Sequence, residues 1–208
     1  MTDETTGPGP SSEFGYTAFE KWSYNSFITV LPDEKTWIDY GDSFYRASVI
    51  LIDKLADDTI DSDVEGLAAM LLFRHYVELA LKTIIVRGRR LVDRQTNIVG
   101  DVQNVANIHD LDVLWKLVLK DAKPKIEDSV WNNYDIPFVE QCILEFHARD
   151  QKGFALRYPK QGGERYEFDF VWFRKTMEHV NHVLGDITAY LIGQYGENQE
   201  WEDIQNSY

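Results

Sequence analysis

The sequence predicts an all-α protein, an antiparallel helical bundle of four to five helices, and three observations carry that prediction. Apolar side chains recur at helical spacing over three long segments, residues typical of helix ends bound these segments, and the alternating pattern typical of strands is weak throughout. The chain has 208 residues, of which 44% are hydrophobic and 13% aromatic. That length and composition predict one domain with a sizeable core.

The N-terminal residues differ in composition from the predicted bundle. Residues 1–15 are acidic and rich in Gly, Pro and Ser, which is typical of a disordered tail. Residues 16–36 are rich in aromatic side chains without a regular period, which predicts an irregular arm over the core. The expected bundle therefore covers residues 37–196, and an acidic C-terminal tail follows at 197–208.

The first two helices are predicted at residues 37–55 and at about 63–87, where apolar side chains recur every three or four positions. Ser62 and Glu65 have the spacing of a capping box, in which a hydroxyl and a carboxylate bond to backbone N–H groups at the helix start. Gly88 suits the end of the second helix, because glycine readily adopts the left-handed conformation common there.

The third and fourth helices are predicted from their start signals. His109 and Asp110 precede the stretch LDVLWKLVLK, which we expect to form a helix that stops before Pro124. Pro137 suits the first turn of a fourth helix, because the N–H that proline lacks has no intrahelical partner there.

A segment with a Gly-Gly pair separates the fourth helix from the last. Residues 153–168 hold two short aromatic runs, which predict a short hairpin or a long ordered loop. Asp169 suits the N-cap of the last helix, which we expect to run from residue 170 to about 195 and to stop at Gly196.

The second helix carries a charged stripe on an otherwise apolar surface. Arg74, Glu78 and Lys82 are four residues apart, so they share one face of the helix. A helix that is apolar on nearly every side is normally buried, and buried charges need partners. We consider two interpretations, an internal ion-pair ladder and a polar cleft in which Arg74 or Lys82 binds an anionic group.

Three further residues belong to this candidate binding site. His75 lies beside the stripe, where a histidine is usually a packed core residue. His109 either caps the third helix or reaches the cleft. Arg157 precedes Tyr158-Pro159, which favours extended chain, and it would complete a cleft with Glu78.

Composition limits the compartment and the class of ligand. The net charge of −14 opposes non-specific binding to nucleic acid, because such binding depends on Lys and Arg at phosphates. The one cysteine, Cys142, permits no internal disulfide and suits core packing. The sequence has no signal-peptide pattern and no run of about 18 apolar residues, so we expect a cytoplasmic protein that does not enter a membrane.

We expect no cofactor and no metal. Phosphate-binding and dinucleotide-binding glycine motifs are missing from the sequence, as is the nucleophile elbow of hydrolases. His179 and His182 lie three residues apart, but no carboxylate or cysteine at diagnostic spacing completes a zinc site with them.

Three motifs in a fixed order resemble those of bacterial HEPN-like proteins. They are FRHYVELALK at 73–82, HDL at 109–111 and LRYP at 156–159, and a long final helix follows them. The resemblance covers roughly residues 40–195. It implies a helical bundle that forms a homodimer and works in prokaryotic defence, toxin–antitoxin or RNA-processing systems.

The same resemblance implies a candidate catalytic pair. Active HEPN proteins are metal-independent ribonucleases that use an R-x4–6-H pair near the start of the last helix, brought together across the dimer. Arg174 and His179 match that spacing. Arg174 would stabilise charge on the phosphate, and His179 would assist proton transfer.

The acidic composition favours a non-catalytic module over a ribonuclease. Lys175 also departs from the Asn, Asp or His that usually follows the family's arginine. We therefore predict a binding or regulatory module whose ligand is RNA, a small anion or a partner protein. The alternative is an endoribonuclease that uses Arg174 and His179 at a dimer interface.

Overall fold

Helices make up most of the described chain, which in this computed structural model comprises residues 36–57, 62–91, 104–150 and 169–205. No β-strand occurs in these ranges, which confirms the all-α prediction. In chain order, the α-helices of four or more residues in these ranges are α1 (Thr36–Ala56), α2 (Ser62–Arg90), α3 (Leu111–Leu117), α4 (Asp128–Trp131), α5 (Ile136–Arg149) and α6 (Phe170–Gln205).

α1 and α2 form an antiparallel hairpin. Gly41, near the start of α1, lies beside Leu79 in the second half of α2. Further along α1, the Ser48 hydroxyl donates a 2.7 Å hydrogen bond to the carbonyl oxygen of Ala69, near the start of α2. Later positions on α1 therefore meet earlier positions on α2.

α6 lies against both of these helices and runs antiparallel to α1. Asp53, late in α1, forms an ion pair with Arg174 in the second turn of α6, at 3.0 Å. Ser48 is one helical turn earlier in α1 and lies 3.8 Å from the sulfur of Met177. Because α2 and α6 are both antiparallel to α1, they run in the same direction as each other.

α2 is the central helix of the described bundle, since it packs against α1, α3, α6 and the π-helical turn that follows α3. This explains why its sequence is apolar on nearly every side. Each fully buried large apolar side chain contributes roughly 1.5–3 kcal/mol to stability. The buried apolar side chains of α2 include Ala69, Met70, Phe73, Val77, Leu81, Ile84 and Ile85.

Gly88 does not end α2, and that prediction is wrong. The helix continues to Arg90, and the glycine lies where another segment crosses it. A Cβ atom at this position would lie 2.6 Å from the Cα of Ala122 and 2.7 Å from its Cβ. The glycine therefore allows the backbones of α2 and the crossing segment to approach closely, and it does not end the helix.

The predicted stop at Gly196 is also wrong. α6 continues through this position to Gln205, into the segment expected to be an acidic tail. Glycine permits the left-handed conformation that ends a helix but does not impose it. Sequence therefore cannot distinguish a terminal glycine from an internal one.

The third helix starts where it was expected but ends differently. α3 ends at Leu117 and passes into a π-helical turn, Val118–Ala122, and then a 3-10 turn, Lys123–Lys125, which contains Pro124. The fourth predicted helix is α5, with Pro137 in its first turn as expected.

Several predictions fall on residues that lie outside the described ranges. These are the tail at 1–15, nearly all of the arm at 16–36, the hairpin or loop at 153–168, and Arg157. Among the described helices, none is both long enough and apolar enough to cross a bilayer.

Candidate functional site

The charged stripe of α2 is buried and paired, as the sequence predicts. Arg74 and Glu78 are each 1% exposed, and Lys82 is 3% exposed. Arg74 Nη1 lies 2.9 Å from Glu78 Oε2, and Lys82 Nζ lies 2.8 Å from Glu78 Oε1. Their spacing of four residues on one helix places both cations within reach of the same carboxylate.

Glu78 also accepts a bond from outside its own helix. His109 Nδ1 lies 2.9 Å from Glu78 Oε1, the oxygen that Lys82 also contacts. Burial alone would raise the pKa of the Glu78 carboxyl. The hydrogen bonds from Lys82, His109 and Arg74 outweigh this, so the pKa lies below its ordinary value and the carboxylate is ionised at neutral pH.

Both cations donate to backbone carbonyls of other segments as well. Arg74 Nη2 donates to the carbonyl oxygens of His109 at 2.8 Å and Asp150 at 3.2 Å. Its Nε also lies 3.1 Å from the buried Asp150 carboxylate. Lys82 Nζ donates to the carbonyl oxygen of Ala106 at 2.8 Å. The network thus attaches the residues before α3 and the end of α5 to α2.

The network balances its charges internally. Two cations, Arg74 and Lys82, face two carboxylates, Glu78 and Asp150, all of them nearly excluded from solvent. Because both cations already have carboxylate and carbonyl partners, the geometry favours the ion-pair ladder over an anion-binding cleft. Arg157, the further cation proposed for a cleft, lies outside the described residues.

His109 is a network residue rather than a helix cap. The N-cap of α3 is Asp110, whose carboxylate accepts the backbone N–H of Val113 at 3.1 Å. The His109 side chain is 52% exposed and contacts the buried Glu78. It therefore lies between the internal ion pairs and solvent.

His75 has the packed position expected of a core histidine. Its ring meets that of Phe44 edge-on, with ring centroids 4.5 Å apart, between α1 and α2. It thus serves the contact between these two helices.

The candidate catalytic pair points toward two different helices. Arg174 Nε donates to Asp53 Oδ1 on α1 at 3.0 Å, and its Nη1 lies 2.6 Å from Glu178 Oε1. His179 Nε2 lies 3.8 Å from Asp135 Oδ2, at the start of α5. Five residues along a helix turn the side-chain direction by roughly 140°, so one chain does not place both groups at one phosphate.

No protein-family model, curated protein or solved structure matches this chain. The HEPN-like resemblance consequently rests on its own motifs. The first, on α2, supplies Arg74, Glu78 and Lys82, and the second supplies His109, which bonds to Glu78. The third motif, at residues 156–159, lies outside the described ranges.

Asp150, the second carboxylate of the network, was not among the residues predicted from the sequence. Its partner, Arg74, is 76 positions earlier in the chain, so no local spacing links them. The available signal was a carboxylate directly after an apolar helix, which is common on any protein surface.

A partly apolar groove of about 310 Å³ lies between α5 and the first turns of α6. Cys142 and Phe146 of α5 line it, together with Trp172 of α6, whose side chain is 63% exposed. Burial, with a smaller effect of Glu145 and Asp135, raises the pKa of the Cys142 thiol to about 11. The thiol is therefore neutral at physiological pH, which favours packing over nucleophilic chemistry.

Proposed function

We propose that this protein is a HEPN-like helical module of a prokaryotic defence or RNA-related system, located in the cytoplasm, which has a binding or regulatory role and does not cleave RNA. One observation carries the preference for binding. Arg174, the cation that a HEPN ribonuclease would place at the phosphate, is already paired with two carboxylates, Asp53 at 3.0 Å and Glu178 at 2.6 Å.

Electrostatics supports this preference. Catalysis at a phosphodiester needs a cation for the developing charge and a group that transfers a proton, both at the same phosphate. Arg174 already contacts two carboxylates, Asp53 and Glu178, so a phosphate would have to compete with both. The net charge of −14 adds long-range repulsion of RNA.

We also propose that the module forms a homodimer, as the HEPN-like resemblance implies. The early turns of α6 expose Val171 by 54% and Trp172 by 63%, next to the groove between α5 and α6. Tryptophan is enriched among the residues that dominate the energy of protein interfaces. The neighbouring Phe173 packs instead against Phe73 and Phe146.

The test for catalysis uses pure protein with structured and unstructured RNA in EDTA, which inactivates contaminating metal-dependent nucleases. We expect no cleavage by the wild-type chain. Cleavage that disappears in His179→Ala and Arg174→Ala, but persists in the control His182→Ala, would establish the ribonuclease alternative. His182 suits the control because it lies three residues along the same helix and its side chain is 70% exposed.

A further inference from the structure

Two carboxylates and one imidazole meet where the start of α3 lies beside the end of α5. Asp110 is the N-cap of α3, Asp112 lies in its first turn, and His147 lies in the last turn of α5. One ligand atom of each lies within 4.8 Å of the other two. The closest pair is His147 Nδ1 and Asp110 Oδ1, at 3.1 Å.

The imidazole nitrogen provides a second and independent observation. His147 Nδ1 is enclosed by protein and makes no hydrogen bond of acceptable geometry within the described chain, although it faces the Asp110 carboxylate. Enclosed polar atoms in folded proteins nearly always have a hydrogen-bond partner. An enclosed imidazole nitrogen beside two carboxylates is also an arrangement that a cation satisfies.

We propose that Asp110, Asp112 and His147 bind a divalent transition-metal ion. One imidazole nitrogen and two carboxylate oxygens are donors that suit Zn²⁺ and Mn²⁺, with water at the remaining positions. Alkaline-earth ions prefer sites made of oxygen alone. These three residues were not predicted together from the sequence, because 35 positions separate His147 from Asp112 and only the fold brings them close.

The geometry requires modest side-chain adjustment. Metal–ligand bonds of about 2.0–2.2 Å place neighbouring ligand atoms roughly 3–3.5 Å apart, so the more distant carboxylate oxygen must approach. All three side chains are partly exposed, so there is space for this rotation. Lys116 competes with the metal, because its Nζ lies 2.6 Å from Asp112 Oδ2.

The ion would reinforce a junction that the buried network already makes. Arg74 donates hydrogen bonds to the carbonyl oxygens of His109 and Asp150. His109 directly precedes Asp110, and Asp150 directly follows α5. A metal at the surface would link the same two elements from outside. This inference does not depend on the proposed function, since a structural ion is compatible with either a binding module or a ribonuclease.

Calorimetric titration of the full chain, first stripped with EDTA and then dialysed, tests the site with ZnCl₂, MnCl₂ and MgCl₂. We expect one equivalent of Zn²⁺ or Mn²⁺ to bind more tightly than Mg²⁺. His147→Ala and Asp112→Asn should each weaken that binding by about tenfold or more. Asp110→Asn keeps an N-cap residue, so it tests the ligand without removing the helix cap.

Two matched controls separate a built site from adventitious binding. His182→Ala removes an exposed histidine near Asp186 on α6 and should leave the affinity unchanged. Lys116→Met frees the Asp112 carboxylate and should tighten binding more than Lys120→Met, which removes the same charge one turn further along. If His147→Ala and His182→Ala bind the metal equally well with circular dichroism unchanged, the proposal is overturned.

Discussion

Glu78 accepts hydrogen bonds from three side chains while almost excluded from solvent. Removing one partner of a buried ion pair usually costs about 3–5 kcal/mol, because the remaining charges stay buried without compensation. Glu78→Ala would leave Arg74 and Lys82 without their shared carboxylate. We therefore expect that variant to unfold at a markedly lower temperature in calorimetry.

The control for this substitution is Glu145→Ala. Glu145 also contacts an arginine four residues away, Arg149 at 4.0 Å, but its side chain is 55% exposed. Exposed pairs of this kind contribute about 0–1 kcal/mol. If both variants lost the same small amount of stability, the argument that the buried network stabilises the fold would be wrong.

The pH dependence of stability provides a second prediction for Glu78. Because the folded-state pKa of this carboxyl lies below its ordinary value of 4.5, the Glu78 side chain binds fewer protons in the folded state than in the unfolded state as pH falls through that range. Its contribution is therefore complete above pH 4.5 and is lost as pH falls through the folded pKa. The difference in unfolding free energy between wild type and Glu78→Gln should therefore narrow as pH falls below 4.5.

Chemical denaturation at each pH measures this difference, since it reports the free energy of unfolding directly. A difference that widened below pH 4.5 would contradict the direction of the Glu78 pKa shift.

At this scale the sequence predicted local pairs and missed distant ones. The bonds from Arg74 and Lys82 to Glu78 follow from a spacing of four on one helix. The bond from His109 and the contact with Asp150 depend on how the chain returns to α2. Arg174 and His179 have the spacing of a catalytic pair, but their neighbours on α1 and α5 decide where each points.

At the scale of helices, the π-helical turn Val118–Ala122 crosses α2 at Gly88, and the crossing depends on this glycine. A methyl group there would lie 2.6 Å from the Cα of Ala122, a backbone atom that cannot rotate away. Overpacking of this kind typically costs about 1–3 kcal/mol, which exceeds the gain of roughly 1 kcal/mol in helix propensity. We expect Gly88→Ala to lower the midpoint of urea denaturation.

Gly185→Ala is the matched control, because no atom beyond its chain neighbours and the adjacent backbone of α6 lies within 4 Å of the Cβ position at Gly185. Alanine there should raise stability by up to about 1 kcal/mol. Substitutions at both glycines that shifted the denaturation midpoint in the same direction would show that the crossing does not require Gly88.

Helix positions were predictable, whereas helix ends held by neighbours were not. Asp110 and Pro137 act locally, so the starts of α3 and α5 follow from the sequence. Gly88 and Gly196 both resemble helix stops in the sequence, because a glycine that ends a helix and one inside a helix have the same local signal. The π-helical turn before Pro124 has no signal in the local sequence. Its Ala122 packs against Gly88 of α2, and this contact depends on the fold.

For the whole molecule, the proposed homodimer through α6 gives a further prediction. Light scattering at micromolar concentration should report twice the 24.2 kDa mass of one chain. Trp172→Glu should shift this mass toward the monomer, because a carboxylate would replace the exposed tryptophan in the interface.

Ile50→Glu is the control for a general effect of surface charge, since Ile50 is 59% exposed on α1. We expect this variant to remain dimeric. A wild-type mass of 24.2 kDa alone would contradict the proposed dimer.

The buried network also has a consequence for cooperativity. Its cations donate to carbonyl oxygens on segments that are far from α2 in sequence, at Ala106, His109 and Asp150. If one of these segments detached from α2, a buried donor would lose its acceptor at a cost of about 1–3 kcal/mol, or more for a charged group. Partly open states are therefore disfavoured, and the hairpin of α1 and α2 is expected to melt together with α3 and α5 in a single transition.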